Sequence, residues 1–128
     1  MVRCLFTIFS AIFLTACAKF AASSDTPCTL EGRLVKKGIC GQYVVQYLSG
    51  DTSGLSKSKQ WTDPSKGKVY YDVFTVANPC DFKETIQEGA IFSFSLSRAT
   101  SKNCTLCEAY TPVPYTKNKI NLDCITGK

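Results

Sequence analysis

Residues 90–98 read A-I-F-S-F-S-L-S-R. Such regular alternation predicts a strand with Phe92, Phe94 and Leu96 turned to a core and Ser93, Ser95 and Ser97 turned away. Residues 69–77 (V-Y-Y-D-V-F-T-V-A) and 43–48 (Y-V-V-Q-Y-L) are rich in β-branched and aromatic side chains and predict two more strands. Residues 30–37 (L-E-G-R-L-V-K-K) put Leu30 and Leu34 on one face, with Gly32 between them as the expected place for a bulge or bend. Residues 119–125 (K-I-N-L-D-C-I) alternate again. Between these runs, residues 52–68 are polar and predict a long loop anchored by Trp61. Asp81 followed by Glu84 has the spacing of a capping box, Phe82 and Ile86 lie one helical turn apart, and Gly89 supplies a stop. A short helix of two turns is expected there.

Three strands, a short helix and two strands make a mainly β domain. Its element order resembles the small five-stranded Greek-key barrel of the OB type, with one short helix between the third and fourth strands. The resemblance implies that the start of the second strand lies beside the end of the third, where Cys40 and Cys80 fall. It also brings the start of the first strand and the ends of the last two together, where Cys28, Cys104, Cys107 and Cys124 fall. A Cys40–Cys80 bridge is therefore expected, with the other four cysteines paired among themselves. A β-sandwich or a different small barrel built from the same strands is the alternative.

The amino terminus changes the picture. M-V-R is a short cationic start, and residues 4–14 form an uncharged apolar run, long enough for a signal-peptide core and too short to span a bilayer. Leu14-Thr15-Ala16-Cys17 follows, and this L-T-A-C resembles the lipobox of bacterial lipoproteins. The resemblance implies a signal peptide over 1–16, cleavage before Cys17 and a lipid on its thiol. Residues 17–27, small and polar, then read as a tether, and 28–128 as the folded domain. The resemblance also implies an exported protein held at the cell membrane or outer membrane. An ordinary secretory signal cut after a small-x-small site is the alternative.

Without Cys4 and Cys17, the six cysteines at 28, 40, 80, 104, 107 and 124 suit three disulfides in an exported domain. Cys104-Thr105-Leu106-Cys107 is a C-x-x-C, but two prolines follow where a redox motif needs a helix, and no second ligand pair suggests zinc. The chain has no histidine, which removes His-based triads, His-ligated zinc and imidazole pH switches. No metal or cofactor is expected. The net charge of +5 is scattered, unlike the dense basic stripe of a nucleic-acid binder, so no nucleic-acid partner is expected.

No nucleophile motif of the G-x-S-x-G or S-x-x-K kind occurs. Asp72 and Asp123 form a candidate acid pair only if the strands that carry them are neighbours. Tyr43, Tyr47, Trp61, Tyr70 and Tyr71, with Lys66 and Lys68 nearby, form a candidate binding surface for a glycan or an envelope protein. The reading is a non-enzymatic, lipid-anchored binding module of the cell envelope. Two alternatives come from other classes. One is a secreted inhibitor resembling the netrin/TIMP-like group, although Cys28 lies inside the chain and no C-x-C opens the domain. The other is a thiol–disulfide oxidoreductase using Cys104 and Cys107.

Overall fold

The computed structural model describes residues 26–126. The expected leader, the lipobox with Cys17 and most of the tether lie outside the described residues. No helix among the described residues is long and apolar enough to cross a membrane.

The strands are β1 (Leu30–Lys37), β2 (Tyr43–Gly50), β3 (Ser58–Asp63), β4 (Lys68–Val76), β5 (Ile91–Leu96), β6 (Lys117–Asn118) and β7 (Ile120–Asn121). They form a seven-stranded sheet in the order β3-β4-β2-β1-β5-β7, with β6 beside β4. All neighbours are antiparallel except β4 and β6. The expected five-stranded closed barrel is therefore corrected to an open, seven-stranded sheet. β6 bonds β4 and β7 bonds β5, but Lys119 separates β6 from β7 and the circuit of strand pairs does not close.

One face of the sheet buries Leu30, Leu34, Tyr43, Val45, Phe74, Val76, Phe82, Phe94 and Ile120. A smaller cluster of Val35, Val44, Tyr70 and Val73, with Trp61 against it, covers the other side. The bulge expected near Gly32 is present as a register shift between Glu31 and Gly32. A side chain there would collide with Val45 and Phe94, so glycine lets β1, β2 and β5 approach. A second shift between Leu34 and Lys36 lets the successive Val35 and Lys36 both turn toward the smaller cluster.

Two expectations about local structure are corrected. The segment read as a loop contains β3, an edge strand whose most buried residue is the acid Asp63. The expected helix after Asp81 is absent; a 3-10 turn spans Pro79–Asp81 instead, and Phe82 is already extended. Isolated turns replace the helix: Ile86 N–H donates to Lys83 O (3.1 Å) and Ala90 N–H to Gln87 O (3.0 Å), Lys37 Nζ donates to the Glu84 and Ile86 carbonyls, and Gly89 N–H donates to Leu34 O (2.7 Å). Asp81 does not cap a helix either, since its carboxylate accepts from Asn78 Nδ2 and from Lys102 N–H.

Candidate functional site: a disulfide-clamped pole

Three disulfides join Cys28 to Cys124, Cys40 to Cys107, and Cys80 to Cys104. They mark an oxidising, extracytoplasmic environment. The Cys28–Cys124 pair agrees with the expected grouping, whereas the expected Cys40–Cys80 bridge does not form. The strand argument behind it holds: β2 and β4 pair antiparallel, with Val44 opposite Thr75. That pairing does bring Cys40 and Cys80 to one pole. The loop carrying Cys104 and Cys107 crosses the same pole, however, and each of its cysteines takes one of them. Cα separations are 5.0 Å for Cys40–Cys107 and 5.6 Å for Cys80–Cys104, within ordinary disulfide range.

The pole is built from short local devices. Gly38 N–H donates to Gln42 O (2.7 Å), closing the loop between β1 and β2. Gly41 has φ +73°, a left-handed conformation suited to glycine, and its open side faces Leu106. Gln42 ties two loops together: its Oε1 accepts from Cys40 N–H (3.0 Å) and its Nε2 donates to Ala109 O (2.9 Å). Residues 97–116 contain no regular secondary structure, yet they are held by two disulfides, Gln42 and Asp81.

These parts enclose a cleft of about 750 Å³ beside both bridges. Its floor includes Tyr43, stacked on Phe82 with ring centroids 4.2 Å apart, and Phe82 in turn meets Phe92 edge-on. Burial, and secondarily the charge of Glu84, pushes the Tyr43 hydroxyl above its ordinary value, so it stays a neutral phenol. Ile39 (84% exposed) and Leu106 (45%) stand at the rim, and Tyr110 (87%) lies on the same loop as Leu106. Sequence reading missed these three, because isolated apolar residues inside a cysteine-rich loop carry no periodicity.

The five aromatic residues expected to form one surface are distributed over the two sides of the sheet. Tyr43 and Tyr47 do share a face of β2, but it is the core face. Tyr47 donates its hydroxyl to Gly50 O (2.8 Å), with Lys57 Nζ 5.6 Å from its ring. Trp61 and Tyr70 stack at 6.1 Å against the smaller cluster, flanked by Lys36 and Lys68. Of the five, Tyr71 alone has an exposed ring. Lys66 is engaged by Glu88 at 3.0 Å. Asp72 and Asp123 each hold a separate lysine, Lys57 at 2.7 Å and Lys83 at 3.2 Å, so the candidate acid pair is two surface ion pairs.

Neither Cys104 nor Cys107 is bonded to the other, and all six cysteines of the domain are in disulfides. Among the described residues, no group of three or more His, Cys, Asp or Glu side chains is placed to hold a metal ion. No family model, curated protein or solved structure matches the chain.

Proposed function

We propose that the protein is a lipid-anchored binding module of the bacterial cell envelope, non-enzymatic, with the disulfide-clamped pole as its contact surface. The observation that carries this reading is the cleft of about 750 Å³ between two loops that Cys40–Cys107 joins covalently. Apolar side chains on an irregular loop are ordinarily poor anchors, because ordering them on binding costs entropy. Here two bridges and the Gln42 bonds have ordered the loops beforehand, so Ile39 and Leu106 are presented ready to bury. The partner class is a protein or glycan of the envelope.

The pairing pattern supports an OB-like relationship in an elaborated, opened form. β1 lies between β2 and β5, β2 pairs with β4, and the β6–β7 strap runs parallel to β4 and antiparallel to β5. β3 then is an addition on the outer edge of β4. OB folds bind ligands at the loop joining the first two strands and the loop before the last. Here those are residues 38–42 and 97–116, the two walls of the cleft.

The lipid half of the proposal is tested by fractionation and by mass spectrometry of the mature amino terminus. A diacylated Cys17, and release of Cys17→Ser into the soluble fraction, are the expected results; a soluble wild type refutes the anchor. The binding half is tested by a photo-crosslinker at Ile39 in intact cells. A discrete adduct is expected there and none from Lys59 on the outer strand β3; equal labelling at both sites refutes the pole as contact surface.

A further inference from the structure

A second cleft, of about 540 Å³, lies away from the cysteine pole, where the end of β5, the loop after β2 and the β6–β7 strap converge. Its chemistry differs entirely from that of the pole. No aromatic side chain lines it; hydroxyl groups do, together with Arg98, Lys117 and Lys119, against the single carboxylate of Asp51. The ion pairs among the described residues use Lys36, Lys57, Lys66 and Lys83, and so leave all three of these cations unpaired. Asp51 is turned to local use, accepting from Ser53 N–H at 2.9 Å.

Ser95 also borders this cleft. The alternation in β5 places it opposite the core-facing Phe94, so it was expected to face solvent. Instead it is 4% exposed and lines this cleft, and its Oγ has no hydrogen-bond partner. Three cations outside any ion pair, in a cleft lined by hydroxyl groups, match an anion that accepts several hydrogen bonds.

The walls are fixed before any ligand arrives. Ser97 N–H donates to Lys119 O (2.9 Å), setting Arg98 and Lys119 on adjoining backbones. Asn118 grips the opposite loop through both ends of its amide, accepting from Ser56 N–H (3.0 Å) and donating to Ser56 O (2.6 Å). Cys28–Cys124 and the Thr26–Ile125 backbone bond staple the margin. The backbones that carry Arg98, Lys117 and Lys119 are therefore held in place, and the three exposed cations give this margin a positive potential.

We propose that this cleft binds a phosphate-type oxyanion, with Arg98, Lys117 and Lys119 supplying charge and the hydroxyl groups of the lining donating hydrogen bonds. Phosphate presents several acceptor oxygens and more than one charge near neutral pH, and charge-assisted bonds of this kind are the strong ones. The absence of aromatic groups removes stacking, so charge and hydroxyl hydrogen bonds carry the recognition. This deepens the reading of the domain as a binding module and does not depend on the lipid. Thr26 at the cleft is nine residues from Cys17, a reach of about 30 Å at most. A lipidated Cys17 would hold the cleft near phospholipid headgroups, one of two sources for such an anion, soluble phosphate esters being the other.

The exported protein carrying Cys17→Ser, which makes the measurement independent of the anchor, is titrated with inorganic phosphate by amide NMR at matched ionic strength. Saturable shifts at Ser95, Ser97, Arg98 and Lys119 are expected. Lys119→Gln and Arg98→Gln should each weaken binding about tenfold, with signal dispersion unchanged. Sedimentation with phosphatidylcholine vesicles, with and without phosphatidylglycerol, separates the sources. Binding only to the anionic vesicles, displaced by phosphate and weakened in Lys119→Gln, identifies a headgroup; phosphate binding without vesicle binding identifies a soluble ester. Binding to neither, vesicle binding that Lys119→Gln leaves unchanged, or shifts spread evenly over all lysines overturns the proposal.

Discussion

Asn78 holds Ile120 by both ends of its side-chain amide. Its Nδ2 donates to Ile120 O at 2.8 Å and its Oδ1 accepts from Ile120 N–H at 2.9 Å, all three groups buried. A side chain thus does what a neighbouring strand does elsewhere, satisfying the backbone of β7 on the side that faces away from β5. It matters because the strap from Lys117 to Asn121 is only two short strands, and Ile120 is its one core residue. Asn78→Ala leaves two buried backbone groups unpaired, so unfolding in urea under oxidising conditions should show a loss of about 2–4 kcal/mol. Asn121→Ala, whose amide oxygen serves only the exposed Asp123 N–H, should cost under about 1 kcal/mol.

Asp72 sits inside β4 with φ +56°, between residues paired to Ser58 and Gln60. Left-handed backbone is tolerated by Asp, Asn and Gly and resisted by β-branched residues. Asp72→Gly removes that resistance and the exposed Lys57 ion pair together, so its stability should lie within about 1 kcal/mol of wild type. Asp72→Val should cost about 2 kcal/mol or more, through the backbone alone. Denaturant midpoints of the two variants decide this. Equal losses would mean that the ion pair, and not the conformation, is what the position requires.

Lys36 and Asp63 form an interior ion pair at 2.8 Å, with the Asp63 side chain fully buried. Burial alone would push the Asp63 carboxyl up; bonds from Lys36 and Ser65 outweigh it and hold it below the ordinary 3.8. A carboxyl lowered on folding stabilises the native state above the unfolded value of 3.8, and that contribution is lost as pH falls through the lower folded value. Lys36→Met reverses the balance. Burial then dominates, the folded carboxyl rises above its unfolded value, and acid favours folding at this site. At pH 7 the variant should lose about 3–5 kcal/mol, and the gap to wild type should narrow steadily toward pH 3 in acid titrations followed by circular dichroism. A gap independent of pH would show that Asp63 does not carry the charge in the fold.

The legible parts of the sequence were those where burial and apolar character coincide. Phe94 in β5 and Leu30 and Leu34 in β1 face the core as expected, and the apolar run that holds Val73 and Phe74 forms a strand, β4, as expected. β3 was not legible, since its inward end is Asp63, which the distant Lys36 satisfies. The helix after Asp81 was expected from local spacing, and tertiary bonds from Lys37 and Leu34 take its place. Ser95 read as solvent-facing because alternation reports the face of a strand and not what later covers that face. The rim of the pole was invisible for a different reason. Ile39 and Leu106 acquire meaning only once disulfides bring residues 38–42 and 104–107 together, and spacing along the chain does not encode which cysteine meets which.

The pole makes the last prediction, in which topology and covalent chemistry are separable. Cys40 begins the β2 end of the pole and Cys80 follows β4, so both lie where a direct bridge was expected. Each is instead bonded to the C-x-x-C: Cys40 to Cys107 across 67 residues of sequence and Cys80 to Cys104 across 24. In the chain-entropy model the longer closure is worth about 4 kcal/mol and the shorter about 3. Non-reducing peptide mapping should therefore yield the Cys40–Cys107 and Cys80–Cys104 peptides, with Cys28–Cys124 apart from both. Cys80→Ser should free one thiol, at Cys104, and leave Cys40 oxidised; Cys107→Ser should free Cys40 and leave Cys80 oxidised. Removing a whole bridge with Cys80→Ser/Cys104→Ser should lower stability by about 3 kcal/mol without releasing the loop, because Cys107 and the Gln42 bond to Ala109 still hold it. Removing Cys40 and Cys107 should cost about 4 kcal/mol and also loosen the cleft wall at Leu106, which amide exchange across residues 104–110 reports. If Cys80→Ser instead frees Cys40, the direct bridge exists after all, Cys104 and Cys107 are left to pair with each other, and the wall that presents Leu106 is not clamped to the sheet.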